Sequence, residues 1–489
     1  MRRFAPLLAF LASGCISLEP HYVRPQSAVP ASWPVGDPYL VQSEAALPAV
    51  TYKDIFRDPR LQTLIDQALI NNRDLMVSVA NIEEARAQFQ IQRAQQFPQV
   101  DANAGVTLSG SRSRSGNGGS SGSGNSGGSA KSVTAQYSAG VSVPNFELDL
   151  FGRLRSLTHA EFQRYLATEA AARATRLTLV AQIANGWLDY AADSSLLAVS
   201  EDTAATAAKS VQLTQARVNG GIAPRTDLVQ AEQILDTAQA DVANQRTLVA
   251  QDVNALQLLV GAPINPKLLS PSIDEASPTI AELPPGLSSY VLLRRPDVVE
   301  AEYNLRAANA NIGAARAALF PKISLTGLLG FASSALTSLF TGGAFGWSAS
   351  ANAAYTIFNA GAGRANVQLS QAQKEAAIAT YQGTIQSAFR DVADALARRG
   401  TMGDQLSARQ RQDAAAAEYL RLSDARYRAG VDNYLTTLDA QRSYYSARQL
   451  LVQTKLTAAQ NLVNLYQALG GDPLLQTAPV QKSPLMGKQ

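Results

Sequence analysis

Apolar and polar residues alternate strictly in four short stretches of the chain. Val100, Ala102, Ala104, Val106 and Leu108 are separated by Asp101, Asn103, Gly105, Thr107 and Ser109. Val133, Ala135, Tyr137, Ala139, Val141 and Val143 are separated by Thr134, Gln136, Ser138, Gly140 and Ser142. Ile323, Leu325, Leu329 and Phe331 mark a third stretch, and Phe345, Trp347, Ala349, Ala351, Ala353, Tyr355 and Ile357 a fourth. A period of two gives a strand one apolar and one polar face. The pattern predicts strands at about 99–109, 133–146, 322–332 and 345–358. At roughly 9–13 residues, each can cross a bilayer when tilted. Their polar faces carry small uncharged residues, as a water-filled lumen would, and aromatics sit near strand ends, as in interfacial girdles. Half-buried strands of a soluble sheet alternate too, so alternation alone leaves both readings open.

The helical pattern is on another scale. Residues 153–217 contain no proline and only Gly186 as an interruption, and residues 364–428 again contain no proline. Each stretch predicts a helix of about 65 residues, roughly 100 Å long at 1.5 Å per residue. Apolar positions follow 3,4 spacing, with Leu177, Val180, Ala184, Trp187 and Ala191 in one and Ile378, Tyr381, Ile385, Ala388 and Val392 in the other. This is coiled-coil-like packing. Shorter helices are predicted at about 74–97 and 226–260, so that two laid end to end nearly match one long helix.

These elements recur because the chain contains itself twice. Asn72-Arg73-Asp74 corresponds to Arg295-Pro296-Asp297, Phe97-Pro98 to Phe320-Pro321, and Gly152-Arg153 to Gly363-Arg364. Arg217-Val218-Asn219-Gly220-Gly221 corresponds to Arg426-Tyr427-Arg428-Ala429-Gly430, and Leu258-Leu259-Val260-Gly261 to Gln467-Ala468-Leu469-Gly470. A Gly/Ser tract, 109–132, is the main length difference between the copies and reads as an exposed loop. The predicted organisation is a signal peptide at 1–14, an N-terminal anchored segment at 15–58, repeat 1 at 59–261, an equatorial linker at 262–290, repeat 2 at 291–470 and an equatorial tail at 471–489. Four strands cannot close a membrane barrel, for which about eight is the minimum. Open sheet edges are not tolerated in lipid. If these strands span a membrane, several chains must pool them into one barrel that continues into a helical tube.

Composition excludes much chemistry. The 489 residues include two histidines, His21 and His159, and one cysteine, Cys15, so an internal disulfide is impossible and a Cys/His zinc site nearly so. A net charge of +3 implies no broad basic surface for nucleic acid. Charged residues are only 17%, which suits uncharged strand faces and Ala-rich helix seams. Glu83-Glu84 is not an acid dyad, because adjacent residues on a helix do not face each other. His159 is expected at a solvated position. No run of about 20 apolar residues marks a membrane helix.

The N-terminus resembles a bacterial lipoprotein signal. Arg2 and Arg3 precede an apolar run, Phe4–Ala12, followed by Ser13-Gly14-Cys15. The position three before the cysteine holds Ala12 where that signal usually has Leu. The resemblance implies a lipid on Cys15, and Ile16 after it favours the outer membrane.

Longer motifs carry a wider resemblance. Pro20-His21-Tyr22-Val23-Arg24-Pro25, Glu147-Leu148-Asp149-Leu150-Phe151-Gly152-Arg153, Leu293-Arg294-Arg295-Pro296-Asp297 and Arg426-Tyr427-Arg428-Ala429-Gly430-Val431-Asp432-Asn433-Tyr434-Leu435 resemble the TolC-like outer-membrane efflux protein family, in its lipoprotein branch typified by OprM. The resemblance covers essentially the whole mature chain. It implies an α+β membrane protein: a homotrimer with a 12-stranded transmembrane β-barrel continuous with a 12-helix periplasmic α-barrel. The implied role is a passive, gated exit duct for drugs or other small molecules, with no cofactor beyond the lipid and no catalysis. The implied partners are a periplasmic adaptor and an inner-membrane transporter of RND type. The expected location is the outer membrane, lipid-anchored, with a large periplasmic part.

Two sets of residues follow from the resemblance. The helix-turn tips, with Gly220, Gly221, Gly430, Val431 and Asp432, would face the adaptor. Thr226 and Asp432 are expected N-caps of the helices that follow. Arg426, Tyr427 and Asp439 would lock a periplasmic gate, since an Arg–carboxylate fork is directional and reversible. Asp439 could instead pair with Arg442 on its own helix. Three other readings are a type I protein-secretion duct of the same fold, a periplasmic adaptor lipoprotein and an enzyme on a helical scaffold. The adaptor would need one helical hairpin, not a duplicated strand–helix unit.

Overall fold

A computed structural model describes residues 17–26, 28–30, 32–34, 36, 39, 51–112, 131–281 and 289–471. Its labelled elements are α1 (Pro59–Asn71), α2 (Arg73–Ala94), β1 (Asp101–Arg112), β2 (Lys131–Leu148), α3 (Arg153–Asn219), α4 (Arg225–Val260), α5 (Pro296–Ala317), β3 (Lys322–Ser333), β4 (Phe345–Ala354), α6 (Ala362–Arg428) and α7 (Tyr434–Ala468). The long helices each have 67 residues. β2 extends beyond the alternating stretch at both ends, while Tyr355–Phe358 lie outside β4 as exposed, irregular chain. Outside the two repeats the described residues form single helical turns at Tyr52–Ile55 and Ile273–Ala276, 3-10 turns at Pro266–Leu268 and Ser277–Thr279, and a bridge between Phe56 and Ile280. No helix among the described residues is long and apolar enough to cross a membrane.

The chain divides into two compact units, and these cut across the repeats. One unit contains residues 1–23, 85–165 and 304–377; the other contains 24–84, 166–303 and 378–489. Each therefore takes matching pieces of both copies.

The first unit holds the sheet, in the order β1-β2-β3-β4 and antiparallel throughout. The β2–β3 pairing joins the two repeats. Its ladder is interrupted between Val143 and Phe146, where Pro144 supplies no N–H and its carbonyl accepts from Thr326 Oγ1 at 3.0 Å. Gly140 lies directly opposite Gly330, and a Cβ on either would come within 2.7 Å of the facing backbone. Among the described residues β4 is exposed along its length, and Trp347 is 72% exposed.

The Glu147–Arg153 motif explains how β2 turns into α3. Glu147 accepts two hydrogen bonds from Arg153, at 2.8 and 2.7 Å. Asp149 Oδ2 accepts from the Arg155 N–H at 2.8 Å, satisfying a free donor at the helix start. Gly152 takes φ 74°, and Phe151 stacks on Phe320 from the second repeat with ring centroids 4.6 Å apart. His159 is exposed, as expected of a solvated position, but it also bonds to Glu19 from the N-terminal segment. That segment could not be placed from periodicity because it has none.

The second unit holds the helical core. Leu177, Val180, Ala184, Trp187 and Ala191 are buried on α3, as are Tyr381, Ile385, Ala388 and Val392 on α6. Trp187 Nε1 donates to the Leu268 carbonyl at 3.0 Å. Gly186 beside it lets α4 approach, since a Cβ there would lie 3.1 Å from Leu256. Each repeat also closes on its own start. In repeat 1, Asn72 caps α2 through Leu75 N–H at 2.9 Å and donates to Leu259 O at 2.8 Å. In repeat 2, Arg295 donates to Ala468 O at 2.7 Å. The same junction is made by different side chains. Arg24 grips the buried Glu302 with two bonds of 3.1 and 2.6 Å.

Candidate functional site: the helix-turn tips

The tips join α3 to α4 and α6 to α7. In the first, Gly221 N donates to Val218 O at 3.0 Å and Ile222 N to Arg217 O at 2.9 Å. In the second, Gly430 N donates to Tyr427 O at 3.0 Å and Val431 N to Arg426 O at 3.0 Å. Gly221 and Gly430 have φ of 69° and 75°. These are the same left-handed helix stop, for which glycine is favoured. Gly220, by contrast, lies in ordinary backbone before the stop. Ile222 and Val431, at matching positions, are 74% and 65% exposed, so each tip presents one aliphatic side chain outward.

The expected N-caps are corrected. α4 begins at Arg225 after Pro224, which has no side-chain donor or acceptor, and Thr226 lies inside the helix. α7 is capped by Asn433, whose Oδ1 accepts from Thr436 N–H at 3.2 Å. Asp432 is engaged elsewhere: its carboxylate receives Arg426 Nε at 2.6 Å and Nη2 at 2.9 Å. The Arg426 hydrogen bonds hold the Asp432 carboxyl below the usual carboxylate range.

The tip residues named from the sequence are only partly brought together. Tyr427 is buried against Tyr434, with ring centroids 5.0 Å apart, in a core with Ala207, Ala231, Ile234 and Leu438. Arg426 meets Asp432, not Asp439. Asp439 is exposed on α7, and among the described residues no ion pair joins it to Arg426 or Arg442. A residue missed from the sequence completes the cluster: the Arg217 guanidinium lies 4.5 Å from the Tyr427 ring centroid. This cation–π contact ties the first tip to the second. Its signal was present, since Arg217 is the repeat equivalent of Arg426. Copy 1 carries Ala223 where copy 2 carries Asp432, so Arg217 has no adjacent carboxylate and turns to the ring instead. Cys15 lies outside the described residues.

Farther along the helices, the carboxyl groups of Asp193 on α3 and Asp252 on α4 act on each other electrostatically, and Asp252 Oδ2 is buried without a hydrogen-bond partner among the described residues. Burial, with Asp193 beside it, pushes Asp252 up to about 7. Asp189, one turn away on α3, accepts from Gln460 at 2.8 Å.

Comparison with known proteins matches this arrangement. A profile described as Outer membrane efflux protein matches residues 64–262 and again 287–471. The antibiotic efflux pump outer membrane protein ArpC of Pseudomonas putida is 44% identical over 471 residues, covering 96% of this chain and 95% of that protein. The toluene efflux pump outer membrane protein TtgC, also of Pseudomonas putida, is 44% identical with the same coverage of both chains, 96% and 95%. Among solved structures, the open state of the Neisseria gonorrhoeae MtrE outer membrane channel superposes with a TM-score of 0.82 at 35% identity, covering 93% of this chain and 98% of that one. With matches of this extent to both repeats, the chain belongs to the outer membrane efflux protein family, whose members are outer-membrane channels and not enzymes.

Proposed function

We propose that copies of this chain pool their sheets into one outer-membrane barrel and act as the passive exit duct of a tripartite efflux pump. The observation that carries this reading is the isolated four-stranded sheet. Among the described residues β1 and β4 each lack a neighbour on the outer side, and large apolar side chains stand exposed on the sheet. In lipid, unpaired strand edges are too costly, and four strands are too few to close. The number three comes from the family resemblance and gives twelve strands. The long helices α3 and α6, with α4 and α7 beside them, would line a periplasmic tube. A lipid on Cys15 would hold the N-terminus at the outer membrane.

The exported compounds are small organic molecules, drugs among them. Two relatives at 44% identity are named for antibiotics and toluene, which supports that class. The tips, with Gly220, Gly221, Gly430, Val431 and Asp432, would dock a periplasmic adaptor, itself coupled to an inner-membrane transporter of RND type. The periplasmic end closes through Arg426, Tyr427 and Asp439, and the Arg426–Asp432 fork must be released when the second tip is reshaped. Single-channel recording of Arg426→Ala and Asp439→Ala tests the gate. Both variants are expected to conduct more in the resting state, and unchanged closure in both rejects the gate. Susceptibility of a deletion strain tests the duct: it should become sensitive to several antibiotics and recover with the intact gene.

A further inference from the structure

The N-terminal strap, residues 17–23, is held on the first unit by polar contacts to α3 and α5. Asn309 Nδ2 donates to Pro20 O at 2.8 Å, and Arg306 lies over the Tyr22 ring at 5.1 Å. Gly313 makes room for the strap, because a Cβ there would come within 2.8 Å of Glu19 Cα and 2.7 Å of Ser156 Oγ. At the centre is His159. Its Nδ1 lies 3.1 Å from both oxygens of Glu19, and its Nε2 lies 2.9 Å from the Gln163 amide.

The two sides of this ring respond differently to a proton. An amide can present either a donor or an acceptor to Nε2, so Gln163 serves neutral imidazole and imidazolium alike. Glu19 does not. It receives an ordinary hydrogen bond from the neutral ring and a charge-assisted one from the cation, roughly twice as strong. The charged groups facing His159 are Glu19 on the strap and Arg306 on α5, and they oppose each other. Glu19 is in direct contact and prevails, holding the ring above the ordinary histidine range. Glu161 and Arg164, near the ring on α3, pair with one another.

We propose that His159 is a proton-operated latch for the N-terminal strap: the imidazolium grips Glu19 and holds residues 17–23 on α3 and α5, and deprotonation loosens them. The latch is fully engaged below the ordinary histidine value. It weakens as the pH rises through the raised value in the folded protein. The strap therefore docks more tightly to the charged ring than to the neutral one.

The chain contains only two histidines, which makes the test direct. Full-length detergent-solubilised protein with labelled histidine gives two imidazole signals, and His159→Gln assigns the one from His159. The expected midpoint lies above the ordinary value of about 6.5, and Glu19→Gln lowers it. Hydrogen exchange of residues 17–23, corrected for intrinsic rates, should accelerate through the same midpoint in the wild type and show no such step in His159→Gln. A midpoint at or below the ordinary value, indifference to Glu19→Gln, or strap exchange without a step overturns the latch.

Discussion

Gly221 and Gly430 hold the same left-handed conformation at the ends of α3 and α6, with φ of 69° and 75°. A side chain there costs roughly 1–2 kcal/mol, and a β-branched one more. A valine at position 430 should therefore reshape the second tip without touching the core. We expect Gly430→Val to abolish export while the chain reaches the outer membrane in normal amount, read by drug susceptibility alongside membrane fractionation. Normal export would remove the tip from the docking surface. Arg217 lies over Tyr427, a contact worth about 0.5–1 kcal/mol at an exposed site. Arg217→Ala should free the buried tyrosine cluster and raise resting conductance, with Arg217→Lys in between; conductance equal to wild type would leave the contact without a gating role. The Arg426–Asp432 fork follows acid in a defined direction. Because the carboxyl is held low, its contribution is present above the ordinary Asp range and lost only as the pH falls through the depressed value. These pairings show what the sequence could and could not reveal. Aligning the repeats placed Arg217 on Arg426. It could not show that Ala223 in place of Asp432 would send the two guanidinium groups to different partners.

At the scale of elements, the strands and long helices were legible because their periods persist for many residues. The Gly140–Gly330 contact was not, since alternation reads each glycine only as a small residue in one strand. Their meeting depends on β2 pairing with β3 across nearly the whole of one repeat. A side chain at either position meets facing backbone, whereas Gly327 in the same strand has open space around its would-be Cβ. Gly140→Val should thus block the joining of the two hairpins and prevent assembly in the membrane, while Gly327→Ala assembles normally; heat-resistant oligomer on a gel distinguishes them. Equal assembly of both would contradict the close approach. The Asp193–Asp252 pair was also hidden, because spacing along one helix does not identify a carboxyl on another. Its raised value of about 7 means that the pair favours the folded state at low pH and burdens it as the pH rises through neutrality. Asp252→Asn should therefore raise the melting temperature at pH 8 and leave it nearly unchanged at pH 4. A gain at both values would indicate packing instead of shared protonation.

The whole molecule is a duplicated chain whose copies have kept their architecture while diverging in chemistry. Gly261 and Gly470 end the two repeats with φ of 73° and 91°, yet the junctions they make are closed by Asn72 in one copy and Arg295 in the other. The compact units cut across the copies, because the strands of both repeats form one sheet and their helices share one core. Duplication was legible in the sequence from the matched motifs. The division into units was not, because it depends on which copy each strand pairs with. Among the described residues the sheet remains open on both sides, and on this rests the proposal that several chains pool their sheets into one barrel. Native mass spectrometry of protein extracted from outer-membrane fractions in detergent counts the chains. An assembly of three chains is expected, each bearing a lipid mass on its N-terminal cysteine. A monomer, a dimer or a species stable without detergent would contradict it.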